Sequence, residues 1–183
     1  MIVGSGGLSI RPARLPDAPQ LAAWWNDGAV MAHAGFPDGL GQSLAETEAQ
    51  IRRYVNASDR GLWLILWEGR AIGESAYRVL ADNTVECGWK ICEAAYQNRG
   101  MGTQAIRLTL RHYFTDPGFR ARHPVTAAVW DTNLNNLRAQ RVYEQKIGAR
   151  RMGVRENCWQ DQRGTWQSAV DYRLEREAFL GAP

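Results

Sequence analysis

Three short segments between residues 62 and 92 constrain the fold more than any other part of the chain. The run 62–67 is continuously apolar and too short for a helix between its flanking glycines, which predicts a central strand. Two tight turns join it to further predicted strands at 71–80 and 84–92. Because consecutive strands joined by short turns pair antiparallel, the chain is expected to build its core on a sheet.

The rest of the chain supplies helices and strands around this meander. The predicted elements are an edge strand at 8–13, helices beginning near Pro16 and at 44–55, 100–114 and 133–147, a strand at 125–130, and a closing hairpin of 150–159 and 165–174. This order predicts a mixed α+β (mixed α/β) domain with one central, mostly antiparallel sheet of six to seven strands. The glycine-rich residues 1–7 are expected to form a flexible tail or an artificial extension, which leaves 8–183 as a single domain.

The helix at 44–55 has the clearest start signal. Ser43 followed three residues later by Glu46 is a capping-box pattern, in which each side chain satisfies a main-chain amide of the other. The apolar spacing places Leu44, Ile51 and Val55 on the buried face of this helix.

Composition excludes several classes of protein. With 22 basic and 19 acidic residues among 183, the net charge is +3 and the signs are interspersed, so neither a nucleic-acid nor a membrane partner is expected. Three cysteines without CxxC spacing and three scattered histidines indicate neither a disulfide framework nor a metal site. Since no secretory signal is recognisable, a reducing, cytoplasmic location is expected.

The segment 92–103 leaves a predicted strand, passes Gly100 and Gly102, and enters an amphipathic helix. Main-chain amides in such a turn form an anion site, and Arg99 adds a charge at its rim. A dinucleotide-binding fingerprint fits poorly, because Ala105 stands where its third glycine is needed, and the lysine of a nucleoside-triphosphate loop is missing. The pattern alone therefore leaves a phosphate loop and a plain strand-to-helix turn as alternatives.

Two motifs make the sequence resemble a known family. Residues 97–102 (QNRGMG) resemble the Q/R-x-x-G-x-G/A loop of the GNAT acyltransferase superfamily, and residues 136–148 resemble its N-x-x-A-x-x-x-Y-E-K-x-G-F helix, with one residue more before Gly148. Gln145 replaces the usual Lys and Ala149 the usual Phe, which are changes of packing more than of chemistry. The order of elements agrees over about residues 8–176, and residues 85–91 and 153–157 are similar to the ribosomal-protein alanine N-acetyltransferases.

The resemblance implies a sheet splayed between its fourth and fifth predicted strands and flanked by about four helices. It implies an N-acetyltransferase that moves an acetyl group from acetyl-CoA to a primary amine (a protein N-terminus, or a small amine such as an aminoglycoside or polyamine) in a ternary complex, without a metal. The cofactor-binding residues it implies are Ile91, Cys92, Gln97, Asn98, Arg99, Gly100, Met101, Gly102, Thr103 and Asn136. A non-catalytic acyl-CoA-binding sensor of the same fold is the alternative, and the oligomeric state, a homodimer included, stays open.

Candidate catalytic residues follow from the chemistry of acyl transfer. The resemblance makes Tyr143 the general acid for the departing thiolate, although its helical stripe also fits a core aromatic. Asn136 either contacts the pantetheine or caps the helix. Glu86 is the preferred candidate for the general base, and the alternative is that it is simply an exposed strand residue. Glu74 and Asp131 are further candidates. Cys92 is a rival nucleophile.

Overall fold

The computed structural model describes residues 2–4 and 6–181, the side chain of Val3 excepted. The described residues form one eight-stranded sheet in the order β1-β2-β3-β4-β5-β6-β8-β7. Its strands are β1 (Ile2–Val3), β2 (Leu8–Pro12), β3 (Arg60–Trp67), β4 (Arg70–Val79), β5 (Thr84–Ile91), β6 (Ala127–Asn133), β7 (Arg150–Gln160) and β8 (Trp166–Glu175). The predicted mixed α+β class and the meander β3-β4-β5 are confirmed.

The helices are α1 (Ala18–Trp25), α2 (Gly28–Met31), α3 (Leu44–Val55), α4 (Met101–Thr115), α5 (Pro117–Arg122), α6 (Leu137–Arg141) and α7 (Arg176–Gly181). A π-helical turn at Val142–Ile147 continues α6. Within the described residues, no helix combines the length and the apolar character needed to cross a membrane.

All neighbouring strands are antiparallel except β5 and β6. Those two strands run parallel and pair over three positions, Thr84 with Ala127 through Glu86 with Val129. The crossover from β5 to β6 contains α4 and α5, as a parallel connection requires. β8 follows β7 by a hairpin yet lies between β6 and β7, which makes β7 the outer strand.

The two faces of the sheet carry separate apolar cores. The α4 face buries one cluster, which includes Ile72, Val85, Leu110, Tyr113, Phe114, Trp130 and Tyr172. The opposite face is covered by α1 and α3, which bury Leu21, Trp24, Trp25, Ile51, Leu62 and Leu64. Side chains along β5 alternate between these faces, so a residue's position on β5 decides which face it serves.

Several sequence-based expectations need correction. β2 is not an edge strand, because β1 pairs with it through Ile2–Ile10 and Val3–Ser9; the segment expected as a tail thus contributes the eighth strand. The helix expected from residue 133 begins at Leu137, since β6 continues through Asn133. Seven helices are described rather than about four, because short turns of helix fill several loops.

The buried face of α3 also differs from the expectation. Ser43 and Glu46 form the predicted capping box, and Ile51 is fully buried. Leu44 and Val55, however, are 48% and 61% exposed, whereas Thr47 is fully buried. Thr47 tolerates burial because its hydroxyl donates to the Ser43 carbonyl at 3.1 Å.

Candidate active site

The candidate site is the gap between β5 and β6, called the splay below. Beyond Glu86 and Val129 the two strands separate, so that residues 87–91 of β5 and 130–133 of β6 lie on its two sides without a ladder. A gap in the middle of a sheet leaves main-chain groups unpaired on both strands, which favours an extended ligand between them.

The register of β5 shows which main-chain groups face the splay. Cys92 N donates to Ile72 O at 2.9 Å, so even-numbered residues of β5 bond to β4. Since hydrogen bonding alternates along an antiparallel strand, odd-numbered residues direct N–H and C=O toward β6. The amides of Trp89 and Ile91, beyond the last parallel pair, therefore point into the splay.

The loop 97–103 lies at the wide end of the splay and enters α4. None of the six consecutive amides from Asn98 to Thr103 donates to an acceptor within the described part of the chain. No side chain caps α4, whereas Ser43 caps α3 and Asp116 caps α5. An uncapped helix start with this many free amides is an anion-binding arrangement. Asn98, Arg99 and Gly100 are exposed, Thr103 is half-buried and Met101 packs into the α4-face core.

The two glycines of this loop are required for different reasons. Gly100 has φ +78°, a left-handed conformation that side chains disfavour. Gly102 has no such φ, and a Cβ there would meet only Ile91 Cγ1 at 3.7 Å, which is ordinary contact. Packing within the protein therefore does not require glycine at 102, and the absence of a side chain there leaves room for the close approach of a phosphate group. The residues present fit a diphosphate.

Side chains hold the loop against the splay. Gln97 Nε2 donates to the Ile91 carbonyl at 2.9 Å, which ties the loop to the end of β5. Arg138 Nη1, from α6, donates to Gln97 Oε1 at 3.3 Å and to Asn98 Oδ1 at 3.2 Å. The guanidinium of Arg138 thus adds positive charge beside the free amides. Sequence reasoning missed it, because it lies about 40 residues from the loop and stands at an unspecified position of the motif in 136–148.

Tyr143 lies in the first turn of the π-helical segment and is 8% exposed. Its ring packs edge-on against Trp130 at 5.4 Å and Tyr172 at 5.2 Å between centroids. Its hydroxyl forms no hydrogen bond with the described residues, yet it is not among the polar atoms sealed from solvent. Burial, with smaller contributions from nearby Cys87 and Tyr172, raises the pKa of Tyr143 above its ordinary value, so the phenol keeps its proton at neutral pH.

Asn136 forms the cap that the sequence allowed. Its Oδ1 accepts from Ala139 N at 3.2 Å and its Nδ2 donates to Thr132 Oγ1 at 3.2 Å. Both polar atoms of the amide are therefore already bonded within the protein. A contact with pantetheine stays a prediction. Asn133 belongs to β6, and its Nδ2 donates to Gln167 Oε1 at 2.8 Å.

Glu86 lies on the face opposite α4, beside the narrow end of the splay. Its carboxylate pairs with Arg78 at 2.8 Å, and both side chains are about half exposed, at 50% and 51%. The exposed position predicted as the alternative is therefore what the structure has, and the role of general base stays a prediction. Asp131 shares this face, where Arg155 bridges it to Asp171 at 2.7 and 2.8 Å.

Glu74 is buried on the same face. Its carboxylate accepts from Lys90 Nζ at 3.0 Å and from Trp25 Nε1 at 2.8 Å. Burial of a carboxylate is tolerated because both oxygens are bonded and its charge is matched. Glu74 fixes α1 to the splayed strand and is already engaged, which removes the strongest reason to regard it as a free base.

Cys92 is buried, and burial together with the charge of Glu74 raises the pKa of its thiol. A thiol kept protonated is a poor nucleophile. Among the described residues, no group of three or more His, Cys, Asp or Glu side chains has the geometry of a metal site.

Residues 8–150 match the family model of the acetyltransferase (GNAT) domain. The match spans most of the 183 residues, and the chain belongs to this family. The protein is thus an acyltransferase, and its acyl donor is acetyl-CoA. No curated protein matches the chain.

Solved structures share the fold over almost the whole chain. A GNAT-family acetyltransferase from Bacillus anthracis is 21% identical with a TM-score of 0.77, covering 97% of this chain and 99% of its own. The ribosomal L7/L12 alpha-N-protein acetyltransferase RimL, in complex with coenzyme A, is 16% identical with a TM-score of 0.82, covering 97% of this chain and 98% of its own. Spermidine N-acetyltransferase from Vibrio cholerae, in complex with CoA and spermine, is 15% identical with a TM-score of 0.83 (96% and 99%). The predicted GNAT fold is confirmed, and so is the resemblance to the ribosomal-protein branch at the level of fold.

Proposed function

We propose that this protein transfers an acetyl group from acetyl-CoA directly to the α-amino group of a protein or peptide. The observation that carries the proposal is that six free amides at the start of α4 lie at one end of the splay, while the unbonded hydroxyl of Tyr143 belongs to a ring packed on Trp130 of β6. Bound acetyl-CoA supplies the activated thioester; the chain's own residues bind it, orient it and move the protons.

The donor half of the site is built from main chain. The amides of 98–103, with Arg99 and Arg138 at the rim, match the charge of a diphosphate. The amides of Trp89 and Ile91 are positioned to hold an extended arm between β5 and β6. Tyr143 lies beside Trp130 at the inner end of the same gap, where a phenol that keeps its proton at neutral pH is available to a departing thiolate.

The acceptor half is on the opposite face of the sheet. Gly88 lies there, its position is exposed, and a Cβ at that position would meet nothing within 4 Å. Glycine at 88 is therefore required neither by strain nor by packing within the protein, and it leaves a path to the splay. Glu86 and Asp131 flank this path and are the candidates for receiving the amine's proton.

The charges near this path favour an acceptor with a single amine. The nearby carboxylates already have cationic partners: Glu86 with Arg78, Glu74 with Lys90, and Asp131 and Asp171 with Arg155. Four carboxylates against three cations leave one net negative charge, which matches one ammonium group better than a polyamine.

The protonation of the acceptor points the same way. An α-amino group has a pKa near 7.7–8.0, whereas an alkyl amine of the lysine kind has one near 10.4. An appreciable fraction of the former is neutral at physiological pH without help. The half-exposed, ion-paired Glu86 is then sufficient as a proton acceptor, and a buried, unpaired base is not needed.

Thiol release tests the proposed function. Acetyl-CoA is incubated with peptides bearing free N-termini, with spermidine and with an aminoglycoside, and free thiol is measured. Thiol release with peptide and a peptide N-acetyl product by mass spectrometry are expected. Binding of acetyl-CoA without release with any amine would identify the sensor alternative instead.

A matched glycine pair tests the donor loop. Gly102 and Gly118 are each the second residue of a helix, and neither Cβ would meet an atom closer than 3.4 Å. Alanine at either position should leave Tm unchanged or slightly raised, because alanine favours helix by up to about 1 kcal/mol. Gly102→Ala should weaken CoA binding about tenfold or more, while Gly118→Ala should not. Equal affinities for the two variants would remove the loop from the binding site.

A further inference from the structure

Two indole rings close the splay on the face toward α4. Trp89 of β5 and Trp130 of β6 lie on opposite sides of the gap, just past the last parallel pair. Their ring centroids are 5.3 Å apart and their planes cross at 84°, an edge-to-face contact. Although the two strands have separated at this point, their side chains meet, so the gap has a floor.

The floor is held in place from three sides. Trp89 Nε1 donates to Thr109 Oγ1 of α4 at 2.7 Å. Trp130, 4% exposed, stacks on Tyr172 at 6.3 Å and meets the edge of Tyr143 at 5.4 Å. An indole packed in this way cannot swing aside without opening a cavity in the α4-face core, which carries a large cost.

The other side of the gap is open, because Gly88 has no side chain and nothing lies within 4 Å of its Cβ position. The inner end of the splay is thus a one-sided slot, with an aromatic floor toward α4 and an exit over Gly88. A longer acyl group must either displace one of the two packed indoles or occupy the opening over Gly88 that the amine needs.

From this geometry we infer that the Trp89–Trp130 pair sets the acyl-chain length and restricts the donor to short acyl groups such as acetyl. The inference rests on the proposed placement of the thioester in the splay. It concerns residues that recognise the acyl group and is independent of which amine accepts it. Apolar pockets discriminate by about tenfold or more for each methylene that does not fit.

Direct binding to acetyl-CoA, butyryl-CoA and hexanoyl-CoA tests the inference without turnover. By calorimetry, the wild-type protein should bind hexanoyl-CoA at least about tenfold more weakly than acetyl-CoA. Trp130→Leu makes the floor smaller, so the difference between the affinities for acetyl-CoA and hexanoyl-CoA should fall to about threefold or less. The affinity for acetyl-CoA itself should change little, because the proposed phosphate-binding loop is unaltered.

Trp63→Leu is the matched control. Trp63 belongs to the same core but packs against Tyr77 and Tyr113, away from the splay. The ratio of acetyl-CoA to hexanoyl-CoA affinity in Trp63→Leu should therefore equal that of the wild type. If Trp130→Leu does not fold, Trp130→Phe keeps an aromatic floor of smaller size and should lower the ratio in the same direction.

The outcomes separate this inference from the proposed function. Equal affinities for the three donors in the wild type, an unchanged ratio in the folded Trp130 variants, or an equal shift in Trp63→Leu would overturn the inference and leave the acetyltransferase assignment standing. Failure of the wild type to bind any of the three donors would overturn both.

Discussion

Replacing Tyr143 with Phe removes one oxygen atom and leaves the rest of the site in place. The hydroxyl forms no hydrogen bond with the described residues, and the ring contacts with Trp130 and Tyr172 do not involve it. No protein partner is left unsatisfied by the change. The free energy of unfolding should therefore change by less than about 1 kcal/mol, which corresponds to a Tm shift below about 4 °C for a chain of this size.

Turnover should respond very differently from stability. A positioned general acid contributes about 100- to 10,000-fold, so kcat should fall by at least about 100-fold, or about 2.7 kcal/mol of activation free energy. Affinity for CoA should stay within about twofold, because the proposed diphosphate site at the amides of 98–103 is unchanged. Burial raises the pKa of Tyr143, and a general acid acts below its pKa. Loss of its proton should therefore not limit the wild-type rate at any pH up to 10.

The assay is thiol release at saturating acetyl-CoA and peptide, with Tyr113→Phe as the matched control. Tyr113 is fully buried in the same core and packs against Trp63 and Phe119, away from the splay. The control loses the same atom and should keep the wild-type kcat. A kcat for Tyr143→Phe within threefold of the control would refute the role of the phenol.

Three further predictions concern the acceptor side and the N-terminal half. Gly88→Val should preserve CoA affinity and Tm but raise the KM for the peptide or abolish turnover, which binding and rate measurements on one sample distinguish. At pH 7, a peptide N-terminus should outpace spermidine by about two orders of magnitude, the ratio of their neutral fractions; comparable rates would contradict the charge argument. Asp17 accepts two hydrogen bonds of 2.7 Å from Arg11. These bonds are the main reason why the pKa of Asp17 is lowered in the folded state. Its stabilisation is therefore present above about pH 4 and lost as the pH falls through the folded value, so the Tm deficit of Asp17→Asn should shrink in acid.

The sequence predicted those parts of the fold that depend on local pattern. The apolar run 62–67 and its two turns define a meander whichever way the sheet is later covered, and Ser43 with Glu46 starts a helix by local hydrogen bonds alone. The buried face of that helix depends on where the sheet lies, and local spacing carries no information about that position. As a result Thr47 is buried, whereas Leu44 and Val55 are exposed. A strand of two residues, Ile2–Val3, is too short to show alternation.

The candidate site divides in the same way. The turn with free amides at 98–103 was predictable because its amides are consecutive in the chain and two glycines mark it. Arg138 on Gln97 and the pairing of Trp89 with Trp130 were not, because each contact joins residues about 40 positions apart. For Glu86 the pattern allowed either a base or an exposed residue; only the register with Arg78 places it in a surface ion pair.

The division between main chain and side chain also explains why the donor is easier to identify than the acceptor. Every residue except proline carries an amide, so the proposed donor site of a loop and a splayed strand depends little on most of its side chains. It constrains the sequence chiefly where a side chain must be absent, as proposed for Gly100 and Gly102. In the proposed site the acceptor meets side chains of β5, β6 and β8 instead, such as Glu86, Asp131 and Asp171, which lie on the surface and can change without disturbing the sheet. Selection for a new amine can therefore change the acceptor face while the donor site stays the same. The identity of the acceptor has to be inferred from the charges and openings of the acceptor face.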